Sequence, residues 1–478
     1  MPYFVIENFS AGVDTRSPIY AAEPGTLTIG TDVHLDNGGH IVKRKAFVEW
    51  NDLPAGTFGL DAIGSDLYVF GSNAAPGGLP LGVFYHRLQH PNGDAMTALL
   101  DVEKFDGKFF SIAEYTNDIV KFYDGTRIAD WRIIGEAAGV GAPPYEPGRA
   151  ARTADSKMYV VSGSNLHGSK VLDPTAWDAS SGSGDTGAAL INLATHSTGA
   201  DQLVGCELYY DALAVMSKES VQLWSIAADP TENRRIQTLR GVGLVGPRAT
   251  HNYLDGDTLL LSYQGVKAIT PNGDSANRHR LEDTSAPVDR ELVPYLKSLS
   301  EADLTRAIIL TEPEDNRLWV ILGQRIYVLS WFPSKRIKAW TQYNLDFTID
   351  AAAIVGRRVY VRSGDTVYLY GGADNDTYFE GEAVVRFPYN SMRAPATYKD
   401  LHAFDAGVEG TWEVRAGQRP DDPDTFETVA MITGQTFDQP SYPLIGDTTH
   451  VSLEFRHTGD EAASINAIAL HFTSNEAG

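Results

Sequence analysis

A single cysteine, Cys206, among 478 residues leaves the chain no means of forming an internal disulfide. Its surroundings, "VGCELYYDALAV", mark it as a small buried hydrophobe and not a reactive thiol. Long apolar runs are missing as well. None approaches the ~18 residues of a membrane-crossing helix, so no stable membrane insertion is expected. The opening "MPYFVIENFS" has neither the basic start nor the apolar core of a secretory leader. Positive charge is scarce: 39 Lys and Arg face 62 Asp and Glu, a net of −23. That balance excludes general affinity for DNA or an anionic membrane surface. It leaves room for an acidic channel wall along which DNA slides without sticking. These shortages describe a folded chain made in a reducing cytoplasm.

What is plentiful is turn and strand chemistry, with 45 glycines, 24 prolines, 22 tyrosines and 19 phenylalanines. A strand–turn–strand unit recurs in "IGSDLYVFGS" (63–72), "EYTNDIVKFYDG" (114–125), "TADSKMYVVSGS" (153–164) and "YYDALAVMSKESVQLWSI" (209–226). It returns in "YLDGDTLLLSYQGVKAITP" (253–271), "PEDNRLWVILGQRIYVLSW" (313–331) and "IVGRRVYVRSGDTVYLYGG" (354–372). Alternation of period two places successive side chains on opposite faces of a strand. Gly, Asn and Asp in the turns accept the positive φ that tight hairpins need, and Ser363-Gly364-Asp365 reads as one such tip. The units recur every ~40–60 residues, the spacing of a propeller blade.

Between the last units, Leu292, Tyr295, Leu296 and Leu299 fall at helical spacing, and Ser300 with Asp303 predicts a capping box. "DPTAWDASSGSGDTGAALINLA" (173–194) reads as a Gly/Ser-rich loop. After residue 380 the beat stops, and "TWEVRAG", "HVSLEFRH" and "INAIALHF" follow without it. That last stretch holds 15 acidic against 6 basic residues. The expected fold is all-β: an irregular β-propeller of about six to seven blade-like units over 51–380, an N-terminal strap (1–50) joining it, and a C-terminal β-sandwich-like module (381–478).

The chemical motifs fail on inspection. "GVGLVG" (241–246) fits a dinucleotide loop by letter, but Pro247 and a strand–turn–strand follow it where a helix must open. Gly243 and Gly246 are expected at a tight turn or at crossing points between blades. His86 and His90 lack an acid and a third ligand for zinc. The turn acids Asp66, Asp118, Asp155, Asp211, Asp255 and Asp315 are explained by turn chemistry. Neither the sialidase turn signature nor a Gly-x-Ser-x-Gly elbow is present. Trp319, Tyr327, Trp331 and Trp340 are expected to wedge between blades. No catalytic, cofactor-binding or metal-binding residue is assigned, and an enzyme is not expected. The alternative is a glycan-active propeller enzyme or lectin.

Residues 9–47, "FSAGVDTRSPIYAAEPGTLTIGTDVHLDNGGHIVKRKAF", contain no convincing helix and end in Lys43-Arg44-Lys45. Short strands of this kind gain stability only by joining a sheet. An edge strand added to a blade or to a neighbouring subunit is expected. The three basic residues are the candidate interface, facing an acidic partner surface rather than DNA.

The order of these features resembles the tail nozzle or hub proteins of short-tailed bacteriophages: the tail tubular protein B and packaged-DNA-stabilisation proteins. The resemblance rests on Gly12, Pro18, Asp32, Gly38, Gly39, Lys43 and Arg44 in the strap, with Lys45 standing where the family has proline. It rests further on "YYDALAVMSKESVQLWSIAADP…QTLRGVGLVGPRATHNYLDGDTLLLSYQGVKAIT" and on the helix-then-hairpin passage from "VDRELVPYLKSLS" to "KAWTQY". It implies a structural virion protein of the phage tail, forming a homohexameric ring below the adaptor and above needle, spike or fibre proteins. Its lumen would retain packaged double-stranded DNA and conduct it during ejection without sequence-specific binding.

Overall fold

The computed structural model describes residues 3–53, 55–71, 83–87, 96–115, 121–123, 128–130, 148–174, 176–177, 187–196, 201–253, 256–273, 278–437 and 441–474. The turns expected around Asp118 and Asp255, the His86/His90 pair and most of the 173–194 loop lie outside the described residues or have undescribed side chains.

The recurring units fold into seven blades laid out in chain order, six of them separate small sheets and one, blade 6, part of a larger sheet. Blade 1 is Thr57–Ile63, Asp66–Gly71 and Val83–Arg87, its last two strands parallel. Blades 2 to 6 are four-stranded meanders whose inner strands are Met96–Phe105, Gly148–Ala154, Leu203–Tyr209, Thr250–Asn252 and Ile308–Glu312. Blade 7 starts with Ala351–Val355. Each seam has its own apolar filling, because a four-stranded sheet buries its faces only against its neighbours. Phe70 and Phe109 fill the seam between blades 1 and 2, and Ile112 and Val160 the next. Val161 and Leu213 join blades 3 and 4. Trp319 and Val361 join blades 6 and 7. Leu60 and Ala62 of blade 1 meet Ala351 and Ala353 of blade 7, which closes the ring. The fold is an irregular β-propeller, and its blade count falls at the upper end of the sequence expectation.

Blade 7 takes its fourth strand from the other end of the chain. Phe47–Asp52 pairs antiparallel with Thr366–Tyr370, from Tyr370↔Phe47 to Thr366↔Asp52. The rest of the strap goes elsewhere. Ile29–Thr31 lies between the outer strand of blade 6 (Ile337–Asn344, parallel) and Ala383–Arg386 (antiparallel), so one nine-stranded sheet runs from blade 6 into the C-terminal module. That module is a two-layer sandwich. Its second layer contains Lys399–Glu409, Tyr442–Thr448 and Ser464–Ser474, together with Val33–Leu35, Ile41–Lys43 and Tyr3–Ile6 from the strap. Trp412, Val414 and Phe455 of one layer face Phe404, Ile465 and Ile468 of the other. Residues 3–43 thus build the sandwich and cement it to blade 6, while 47–52 complete the propeller. Gly12 shows how close this threading is. It has φ +62°, and a Cβ there would lie 2.7 Å from the Trp340 carbonyl oxygen.

The helical passage forms α1 (Asp289–Ser298) and α2 (Glu301–Thr305) between blades 5 and 6. Leu292 and Leu296 are fully buried, and Ser300 and Asp303 make the reciprocal capping box. The Ser363-Gly364-Asp365 tip is a hairpin with Ser363 paired to Thr366 and Gly364 at φ +55°.

Deleting residues 1–52 removes strands from blade 7, from the blade 6 junction and from both sandwich layers. The truncated chain is expected to lose cooperative unfolding in a far-UV circular dichroism melt. A sharp transition at the full-length midpoint would contradict this architecture.

Candidate functional site at the propeller axis

The basic triplet, expected to face an acidic partner surface, is the first candidate, and the structure turns it inward. Lys43 is fully buried and donates through Nζ to the Gly459 carbonyl. Burial, with Arg44 beside it, lowers its pKa to about 8. Arg44 is 2 % exposed. Its Nε lies 2.5 Å from Asp32 Oδ1, its Nη2 donates to the Asn344 carbonyl at 3.0 Å, and its guanidinium stands 3.6 Å over the Phe379 ring. Lys45 Nζ lies 2.8 Å from Glu314 Oε2. The triplet therefore holds the crossing between strap, blade 6 and sandwich, Arg44 and Lys45 by pairing with acids of their own chain and Lys43 through a backbone carbonyl. A run of basic residues ordinarily stays in water, but here every ammonium and guanidinium finds a partner at the crossing.

The propeller axis holds the second cluster, on the inner strands. Arg152 of blade 3 sits between carboxylates of its two neighbours. Its Nη1 is 2.8 Å from Asp101 Oδ2 of blade 2, and its Nε is 3.1 Å from Glu207 Oε2 of blade 4. Asp101 also accepts from the Ala151 N–H at 2.9 Å, and Glu103 from the Thr153 N–H at 3.0 Å. Lys104 pairs with Asp61 of blade 1 at 2.9 Å. His251 of blade 5 meets Thr311 of blade 6 at 2.9 Å. Ion pairs and hydrogen bonds thus link inner strands of successive blades.

Burial sets the protonation of this cluster. It would depress Arg152, yet Asp101, Glu207 and Glu103 hold that guanidinium well above its ordinary pKa. Burial lifts the Glu103 carboxyl to about 7 against the pull of Arg152. Burial, then Arg152, lowers His251 to about 4, so its ring is neutral. The same desolvation raises the Cys206 thiol and keeps it inert.

Sequence reasoning missed this cluster because Asp61, Asp101, Arg152 and Glu207 lie ahead of the recurring units, in the strands that lead into them. There they look like the solvated face of a strand. Of the turn acids singled out instead, three stay in hairpin turns, Asp155 at φ +48°, Asp211 beside Tyr210 and Asp315 in the turn before Arg317, while Asp66 opens the strand after its turn. "GVGLVG" is a crossing point, as expected. A Cβ on Gly243 would strike the Ser217–Lys218 backbone at 2.2 Å, and one on Gly246 would reach the Leu304 carbonyl at 2.5 Å. Trp319, Tyr327 and Trp340 are buried, with Trp340 Nε1 donating to the Thr284 carbonyl at 2.9 Å. Trp331 stacks on Tyr253 of blade 5 at 5.2 Å. Among the described residues no group of three or more His, Cys, Asp or Glu is placed to hold a metal ion.

No family model matches this chain, and no curated protein does. Solved structures similar to it include the computationally designed Ika8 protein, at 8% identity and a TM-score of 0.38, covering 68% of this chain and 99% of that one. The WD40 β-propeller domain of Doa1 gives 11% identity and 0.37, over 70% of this chain and 97% of its own. BamB from Moraxella catarrhalis gives 10% and 0.34, over 70% and 98%.

Replacing Arg44 with Ala strands Asp32 in the interior and should cost about 3–5 kcal/mol in urea unfolding. R44K should not restore it, because an ammonium cannot reproduce the planar fork. A folded-state histidine pKa below the unfolded 6.5 removes stability as pH falls from about 6.5 to about 4. H251Q should flatten that fall by roughly 2 kcal/mol between pH 7.5 and 4.5.

Proposed function

We propose that this protein is a structural subunit of the tail nozzle of a short-tailed bacteriophage. Copies would form a ring, of six in the family it resembles, between the adaptor and the needle, spike or fibre proteins. The observation that carries this reading is the strap, the stretch richest in the family-like features. It closes the propeller, bridges blade 6 and supplies strands to both sandwich layers. Propeller and sandwich are thereby bound into one sheet-continuous body, as suits a part that resists the pressure of packaged DNA. The axial ion pairs tie the inner strands to each other, so the conduit for DNA belongs between copies and not through a propeller. A charge of −23 keeps a polyanion moving past such a wall.

An antibody raised against the chain should decorate the tail tip of short-tailed particles in electron micrographs, and particle mass analysis should return six copies. Absence of the chain from particles, or labelling over the capsid, overturns the reading.

A further inference from the structure

A cavity of about 460 Å³ opens at the axis, on the face from which the inner strands start. Four arginines line it from four different elements: Arg149 on the inner strand of blade 3, Arg248 just before that of blade 5, Arg306 after α2, and Arg362 on the second strand of blade 7. Such convergence is unexpected in a chain of −23. The carboxylates lining the cavity are Asp350, Asp365 and Glu114. Asp365 and Glu114 are exposed at its edge.

Asp350 cannot neutralise the group. Its Oδ2 already accepts from the Gly364 N–H at 2.9 Å. Arg362 approaches it at 3.5 Å and Arg306 at 3.7 Å, both longer than a good charged hydrogen bond. Arg248 donates to the Asp350 backbone carbonyl at 3.0 Å, and burial lowers the Arg248 pKa against the pull of Asp101, Asp61 and Asp350. Arg362 is 5 % exposed, and its Nε, like that of Arg248, is buried with no hydrogen-bond partner among the described residues. Arg149 has no ion-pair partner among them either. Arg362 Nη1 is already held by the Thr57 and Gly364 carbonyls, so the guanidinium edges that can meet a ligand are those of the exposed Arg306 and the part-exposed Arg149 and Arg248. Burial lowers the Arg362 pKa to about 10 against the pull of Asp350, with Arg248 and Arg306 adding to the fall and Asp365 opposing it.

We propose that this axial cavity binds a compact oxyanion, the carboxylate or phosphate of a small molecule. Arg248 forms its inner contact, with the charge of Arg362 behind it, and Arg149 and Arg306 clamp from the opening. Guanidinium forks match the paired oxygens of both groups, and the volume suits a small-molecule ligand rather than a polymer. An acidic sugar and a phosphate ester share this chemistry. The proposal is independent of ring formation.

Isothermal titration of the full chain with inorganic phosphate, glucuronate and neutral glucose, at constant ionic strength set by sodium chloride, tests it. Saturable binding of phosphate, glucuronate or both is expected, with none of glucose. Phosphate alone would identify a phosphate ester as the source, and glucuronate alone an acidic sugar. R149Q/R306Q should weaken binding at least tenfold; if that double variant does not fold, R306Q, whose side chain is 58% exposed, should weaken it severalfold. No saturable binding of either anion overturns the proposal, and so does binding of equal strength in the variants.

Discussion

Everything in this fold depends on one pairing, that of Phe47–Asp52 with Thr366–Tyr370. Without it blade 7 would present a bare three-stranded edge and the ring would be held shut by side chains alone. Closing a loop of roughly 300 residues costs about 5 kcal/mol in chain entropy. The hydrogen bonds of the added strand offset this only in part. Phe47 supplies more, its ring 5.0 Å from Tyr370 and 5.9 Å from Trp319 at the seam between blades 6 and 7. The Lys43–Lys45 crossing then fixes where the strap turns from sandwich to propeller, through Asp32 twelve residues away and Glu314 far along the chain.

Internal use of arginine and lysine changes how the charge should be regarded. Arg44, Arg317 and Arg362 are withdrawn from the surface, as are Lys43, Lys157 and Lys399. Arg317 pairs with Glu312 at 3.0 Å with both side chains 2% exposed. Lys399 donates to three carbonyls, of Ala394, Thr397 and Thr449. Several cations are satisfied by neutral backbone oxygens, not by carboxylates. Asp32, Asp101, Glu207, Glu312, Asp405 and Glu454 are withdrawn as well, so the surface seen by an approaching molecule stays acidic, and the arginine-lined axial cavity stands out against it.

Local chemistry was legible in the sequence. Period-two runs, the Ser363-Gly364-Asp365 tip, the Ser300/Asp303 cap and the buried tryptophans all follow from rules that act within a few residues. Partners distant in sequence were not legible. Alternation tells which residues share a face, but not that Asp101 and Glu207 will flank Arg152. A Lys-Arg-Lys run looks solvated until Asp32, Gly459 and Glu314 close around it. The strap's strands were too short to announce which sheet would take them, since three-residue segments such as Ile29–Thr31 carry almost no pattern of their own. The axial arginines come from four unrelated turns and strands, and no spacing rule could have gathered them.

The threading of the first fifty residues sets a timetable for synthesis. The partners of Phe47–Asp52 emerge only after residue 366, and those of Tyr3–Ile6 only after residue 468. At ~5–20 residues per second, the leading segment waits between roughly 15 and 90 s with its backbone donors and acceptors unclaimed. A chain broken off before residue 366 has no closing strand partner for blade 7 and no sandwich to receive residues 3–43. Synthesis past residue 468 thus acts as a checkpoint, since only a chain that long can bury both Tyr3–Ile6 and Phe47–Asp52.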